Sequence, residues 1–327
     1  MKRVVASLAA VVLIAGLTAC GQDDGAEPGA SREATLVLDF TPNAVHSSIY
    51  TALERGYFER AGIDLQVREP SSSSDAPKLL EAGRADFAVL DINDFGIARE
   101  RGLRLRAVAA LVQIPLGAVI ARDAGQIRRP RDLEQRTVGV TGLPSDDAVL
   151  DAVVAADGGD PGAVRRTNIG FDSIAALTTG RVDAATAFWN AEGVALRDAG
   201  LDTREFRIAD SVQRPFPELV VVTTERLARA EPDLAGGMYG ALSSGTETVA
   251  EHPQAGLKAL LEAVPELDPE TQRLQLDALL RAEAFGDSPT SAIYQDRRDS
   301  WLDFAIRGGL IGAGARERVA RGFELRE

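Results

Sequence analysis

The chain has 327 residues, 45% of them apolar, and a formal net charge of −13. The apolar share excludes a disordered chain, and the length sets a prior of two domains. The acidic balance disfavours nucleic acid and anionic membrane surfaces as direct partners; otherwise such charge only keeps a surface soluble.

Residues 1–20 read as a secretory leader. Lys2 and Arg3 form a charged start, residues 6–16 an apolar stretch, and Leu17-Thr18-Ala19-Cys20 a small-residue cleavage site. The apolar stretch falls short of the roughly 20 residues that a spanning helix needs. Its last four residues resemble the bacterial lipobox, in which the cysteine is acylated and begins the mature protein. Cys20 is therefore the expected lipidation site. The protein is expected outside the cytoplasm, anchored by lipid to the bacterial cell membrane.

Residues 21–33 hold no large apolar side chain and are expected to form a flexible tether. An apolar run at 35–39 then reads as a buried strand. A helix is expected over 45–60, a turn at Gly62 and a strand over 63–68. The run Ser71-Ser72-Ser73-Ser74-Asp75 supplies capping chemistry for a helix that Gly83 ends. Strands are expected at 86–90 and 105–112, and the alternation then restarts. Strands at 137–141, 164–169 and 182–187 enclose helices at 145–156 and 172–178. Such alternation argues for parallel sheets covered on both faces. Beyond residue 224 four or five helices are expected, several opened by a proline, at Pro232, Pro253 and Pro269.

One stretch nearly repeats. Leu80, Gly83, Arg84, Asp86, Ala88 and Asn93 share the frame L-x-x-G-R-x-D-x-A-x-x-x-x-N with Leu177, Gly180, Arg181, Asp183, Ala185 and Asn190. The glycine closes a helix, Asp-x-Ala enters a buried strand, and the asparagine falls past the strand's carboxyl end. Ligands of open α/β sheets bind at such ends. The copies are expected to face each other over a cleft, with Asp91 and Asn93 on one wall and Phe188, Trp189 and Asn190 on the other. Two similar packing problems would write the same repeat. Apolar runs at 116–121 and 217–223 are expected to cross between lobes as hinge strands. The first lobe is expected to hold 34–117 plus 222–327, and the second 118–221.

No catalytic set is visible. His46 and His252 lie far apart, and a single cysteine precludes both a disulfide and a zinc site built on Cys and His. Gly308, Gly309, Gly312 and Gly314 miss the dinucleotide spacing, and there is no G-x-S-x-G elbow. No enzyme activity, cofactor or metal is expected. Polar and aromatic residues gather instead at strand ends. Asp39-Phe40-Thr41-Pro42-Asn43 and His46 could present a flat face with amide donors and acceptors, or simply form a turn. Trp189, with Asn190 and Glu192, reads the same way. Phe216, between two prolines, is either hinge packing or a pocket wall. Helix N-termini at Ser71 to Ser74 and at Ser145 could serve an anion.

These residues resemble the thiamine-pyrimidine-precursor branch of the bacterial solute-binding proteins. The family pattern D-W-T-P-N-x-x-H is matched from Asp39 to His46, with Phe40 where the pattern has Trp. G-Y-F is matched by Gly56-Tyr57-Phe58 and G-x-A-D-F by Gly83-Arg84-Ala85-Asp86-Phe87. Q-x-P is matched by Gln113-Ile114-Pro115 and W-N-x-E-G by Trp189-Asn190-Ala191-Glu192-Gly193. The resemblance spans roughly 35–224. It implies an α/β, two-lobed type II periplasmic-binding fold, each lobe a mostly parallel sheet flanked by helices, the lobes joined by two hinge strands. It implies a monomer that carries hydroxymethylpyrimidine or formylaminopyrimidine to an ABC transporter permease. By carry-over, Phe40 and Trp189 would sandwich the ring, and Asn43, His46, Asn190 and Glu192 would meet its polar edge. Asp39, Pro42, Asp91, Asn93, Gln113, Ser145, Phe188 and Phe216 complete the expected ligand-binding set. Related members bind riboflavin precursors, nitrate, taurine or alkanesulfonates. A fungal relative of the fold is an enzyme that makes the pyrimidine phosphate from pyridoxal phosphate and its own histidine. It carries a cysteine-rich motif absent here. An amino-acid or peptide scavenger would show an Arg–Asp grip for an α-amino acid, and none can be placed.

Overall fold

Apolar runs bounded by turn residues become ten strands. They are β1 (Arg32–Val37), β2 (Ile63–Arg68), β3 (Phe87–Asp91), β4 (Leu105–Ala110), β5 (Gly117–Arg122), β6 (Thr137–Val140), β7 (Arg165–Asn168), β8 (Ala184–Phe188), β9 (Thr203–Arg207) and β10 (Leu219–Thr224). A computed structural model describes residues 31–72, 74–122, 126–212, 214–286 and 290–323, so the leader and Cys20 lie outside the described residues. Arg32 already belongs to β1, its N–H donating to Gly62 O at 2.8 Å, so the strand starts inside the segment expected as tether.

The strands form two sheets, ordered β2-β1-β3-β10-β4 and β7-β6-β8-β5-β9. Each has four strands running one way and one against them, β10 in the first and β5 in the second. The fold is thus α/β and two-lobed. In each sheet the reversed strand is the one that has just arrived from the other lobe. The two runs read as hinge strands are therefore interior strands, and the crossings are made by the residues before them, 111–116 and 208–218.

Interior strands are buried on both faces and read as continuous apolar runs. In β10, Leu219 and Val221 enter one core while Val220 and Val222 enter the other. The edge strands of the second sheet are polar: β7 is Arg-Arg-Thr-Asn and β9 is Thr-Arg-Glu-Phe-Arg. Such polarity blunts an edge against pairing with another chain, and it also hides β9 from a reading based on apolar runs.

The helix expected over 45–60 is interrupted. Gly56 takes a φ of +66° and separates Ser47–Glu54 from Tyr57–Arg60. The C-terminal helices include Glu225–Ala230, Pro232–Glu251, Pro253–Ala263, Pro269–Arg281 and Gln295–Arg307. The internal repeat has a structural job in both lobes. Asp86 accepts the N–H of Thr35 at 2.9 Å, and Asp183 accepts that of Thr137 at 2.8 Å, so each pins the start of the neighbouring parallel strand.

Candidate functional site

A cavity of about 110 Å3 lies between the lobes, at the carboxyl ends of β1, β3, β6 and β8. This is where an open α/β sheet presents its loops and helix starts. The first lobe contributes Asp39, Phe40, Asn43, Asp91 and Asp94; the second contributes Ser145, Asp146, Phe171, Phe188 and Glu192. The lobes touch across it: Ser145 Oγ donates to Asp94 Oδ2 at 2.8 Å, and the Phe40 and Phe171 rings meet edge to face at 4.6 Å.

Five carboxyl side chains line the cavity, and among the described residues no arginine, lysine or histidine does. Burial therefore acts on these acids without a cation to offset it. Burial pushes the Asp94 carboxyl up to about 7, against the pull of its Ser145 hydrogen bond. Glu192 is likewise pushed up to about 7 by burial, although it accepts Phe188 N–H at 3.1 Å and Ser173 Oγ–H at 3.3 Å. Asp146 is raised for the same reason while capping Thr141 N–H at 2.7 Å. Asp91 is raised chiefly by burial and then by the nearby carboxyl of Glu218 behind it.

The turn after β1 is a capping box. Asn43 Oδ1 accepts Val45 N–H at 3.1 Å, and Asn43 N–H donates to His46 Nδ1 at 3.2 Å. Since His46 Nδ1 accepts, its Nε2 carries the hydrogen and donates to Asp39 Oδ1 at 3.0 Å. His46 thus orients Asp39 from behind, without facing the cavity.

A family model described as NMT1/THI5 like matches residues 43–256. The chain belongs to the NMT1/THI5-like family. A formylaminopyrimidine-binding protein of Halalkalibacterium halodurans is 29% identical over 311 residues, 92% of this chain and 93% of that one. A 4-amino-5-hydroxymethyl-2-methylpyrimidine phosphate synthase of Legionella pneumophila is 24% identical across 71% of this chain and 74% of its own length. The alkanesulfonate-binding protein SsuA of Xanthomonas axonopodis, solved with MOPS, superposes with a TM-score of 0.71 at 17% identity, covering 90% of this chain and 99% of that one. The shared architecture is the type II periplasmic-binding fold.

In this NMT1/THI5-like chain the cavity gathers seven of the expected residues: Asp39, Phe40, Asn43, Asp91, Ser145, Phe188 and Glu192. Seven others lie off its wall. Trp189 is buried at the crossing, its Nε1–H on Pro115 O at 3.1 Å and the Arg207 guanidinium 4.2 Å above its ring. Successive residues at a strand's end point to opposite sides, so Phe188 and Trp189 cannot both face the cleft. Asn93 is fully buried and accepts Trp301 Nε1–H at 2.9 Å, which fastens helix Gln295–Arg307. Asn190 is equally buried, and neither polar atom of its side chain has a partner. Gln113 donates to Ala292 O at 2.8 Å and holds the C-terminal region. Phe216 packs in the core on Phe304, so it is hinge packing and not a wall. Pro42 and His46 are buried beneath the turn.

Asp94, Asp146 and Phe171 were not anticipated. Asp94 carried a signal: it lies three residues beyond Asp91, in the first turn of the helix that Asp91 caps. Phe171 carried none, because only the fold brings it onto Phe40.

Proposed function

We propose that the chain is the extracytoplasmic substrate-binding lipoprotein of an ABC importer, that it is not an enzyme, and that its cleft takes a pyrimidine thiamine precursor of the hydroxymethylpyrimidine or formylaminopyrimidine type. The observation that carries this reading is a small cavity bearing carboxyls and aromatic rings with no cation on its wall. An aminopyrimidine offers flat faces to Phe40, Phe171 and Phe188, and its edge offers amine donors to the acids. A protonated carboxyl adds more: it donates to a ring nitrogen while its second oxygen accepts from the adjacent amine. The kinship to the formylaminopyrimidine-binding protein of Halalkalibacterium halodurans points the same way.

An anion is poorly served here. The N-terminus of helix Pro144–Ala156 already carries Asp146 and Asp147 in its first turn. Ser71 and Ser72 direct their N–H groups to Asp75, at 2.7 and 3.0 Å. Nitrate, taurine and alkanesulfonates would meet negative charge without a counter-ion. Binding is favoured over synthesis because among the described residues no lysine lines the cavity, and His46 is engaged on both nitrogens.

Isothermal titration checks the ligand. Heat is expected with hydroxymethylpyrimidine or its formylamino analogue and none with taurine or nitrate. The reverse pattern would transfer the assignment to an anion carrier.

A further inference from the structure

A group of arginines lines the end of the first sheet farthest from the cleft. Two adjoining cavities, of about 330 and 890 Å3, open where β4 begins and β10 ends. Leu105 and Thr224 are register partners there, whereas the cleft lies at Asp91, the partner of Leu219. Five strand steps, about 17 Å, separate the two ends.

Eight arginines line the two cavities, against Glu81 and Glu225. Arg99 forms the floor: it is 4% exposed and donates to Glu225, Leu105 O and Arg318 O, each at 2.6 Å. The single charge of Glu225 is shared further with Arg229 at 3.1 Å and Arg104 at 3.9 Å. Arg106 is half-buried, and its Nε has no hydrogen-bond partner. The acids present cannot neutralise this set. Guanidinium groups converging on one recess suit phosphate oxygens, which accept two parallel N–H bonds from each.

The path of the chain says which phosphate. Arg32, where β1 begins, is tied to Glu231 at 3.0 Å, and Glu231 directly follows helix Glu225–Ala230, which bears Arg226 and Arg229. The segment leading back to Cys20 therefore joins the fold beside the arginines. Its ten residues, 21–30, reach at most about 35 Å.

We propose that this arginine-lined end docks on the headgroups of anionic phospholipid, holding the cleft away from the membrane surface. The choice of a membrane rests on the lipid-anchor reading of Cys20; the charge and its placement do not. The net charge of −13 does not oppose it, because salt screens the rest of the molecule beyond about 8 Å.

The test uses the full chain with Cys20→Ala, which cannot be acylated, and vesicles of phosphatidylcholine with or without phosphatidylglycerol. Co-sedimentation is expected to be several-fold greater with phosphatidylglycerol and to vanish at high salt. Arg104→Glu with Arg229→Glu, both on exposed side chains, is expected to weaken it about tenfold or more. Cleft binding should stay unchanged in that variant. Equal binding to both vesicles, or full retention by the variant, overturns the proposal. So does tight binding of inorganic phosphate without a vesicle preference, which would make this a site for a free anion. A preference that appears only after neutralising Asp23, Asp24 and Glu27 would assign the recess to that segment instead. The mass of the mature chain reports acylation of Cys20 separately, so failure of the anchor reading is distinguishable.

Discussion

Glu192 shows how one side chain sets both stability and affinity. Its folded-state carboxyl titrates near 7 because burial opposes its charge. In an unfolded chain it would titrate near its ordinary value of 4.5. Below 4.5 both states keep the proton; between about 4.5 and 7 only the unfolded chain releases it, so stability declines across that window and levels off above 7. Unliganded protein is therefore expected to melt at lower temperature at about pH 8 than at about pH 5. Glu192→Gln should remove one proton's share of that slope, on the order of 3 kcal/mol. The same variant separates two ligand chemistries. If a carboxyl proton is shared with a pyrimidine nitrogen, affinity falls about tenfold per unit well above pH 7 in the parent protein. A glutamine amide presents the same donor–acceptor pair without titrating. Glu192→Gln should thus keep the low-pH affinity across the range, and titration calorimetry at several pH values checks it. A pH-independent parent would count against the shared proton.

At the scale of elements, close approach decides what glycine does in helix Pro232–Glu251. A Cβ on Gly245 would lie 2.2 Å from Ser48 O in helix Ser47–Glu54, which is backbone and cannot yield. Gly236 and Gly240 on the same helix have nothing within 4 Å. Gly245→Ala is expected to cost about 1–3 kcal/mol or more. Gly236→Ala and Gly240→Ala should each stabilise by about 0.5–1 kcal/mol, since alanine loses less conformational freedom than glycine in a helix interior. Thermal or urea unfolding of the three variants reads this contrast directly. Helix identity was legible in the apolar spacing and the prolines. Which glycine faces a neighbour depends on a crossing that local pattern does not specify.

At the scale of the whole molecule, Glu218 binds the two crossings together. Fully buried just before β10, it accepts the N–H of Leu116 at 2.5 Å and of Gly117 at 2.9 Å, on the segment that leads outward into β5. Its other neighbour is Asp91 in the cleft wall. Glu218→Ala would leave two buried N–H groups without acceptors, at about 1–3 kcal/mol each. The variant is expected to unfold at lower denaturant and to weaken ligand binding, because the crossing beside Asp91 loses the carboxylate that ties it down. Unchanged unfolding would show that water replaces the carboxylate and that the crossing is not held this way.

Much of this protein was written locally. Alternating strand and helix signals, turn glycines and buried apolar runs determined an α/β chain, because backbone preference and side-chain periodicity act over a few residues. The strand-end motifs likewise located the turn after β1 and the Phe188–Glu192 segment. Tertiary structure alone decided which members of those motifs face the cleft. It turned Trp189 to the crossing and Phe188 to the cleft, used Asn93 to hold Trp301, and brought Asp94 and Asp146 together from different lobes. Those outcomes depend on which surfaces meet across long stretches of chain, and no short-range preference carries that information.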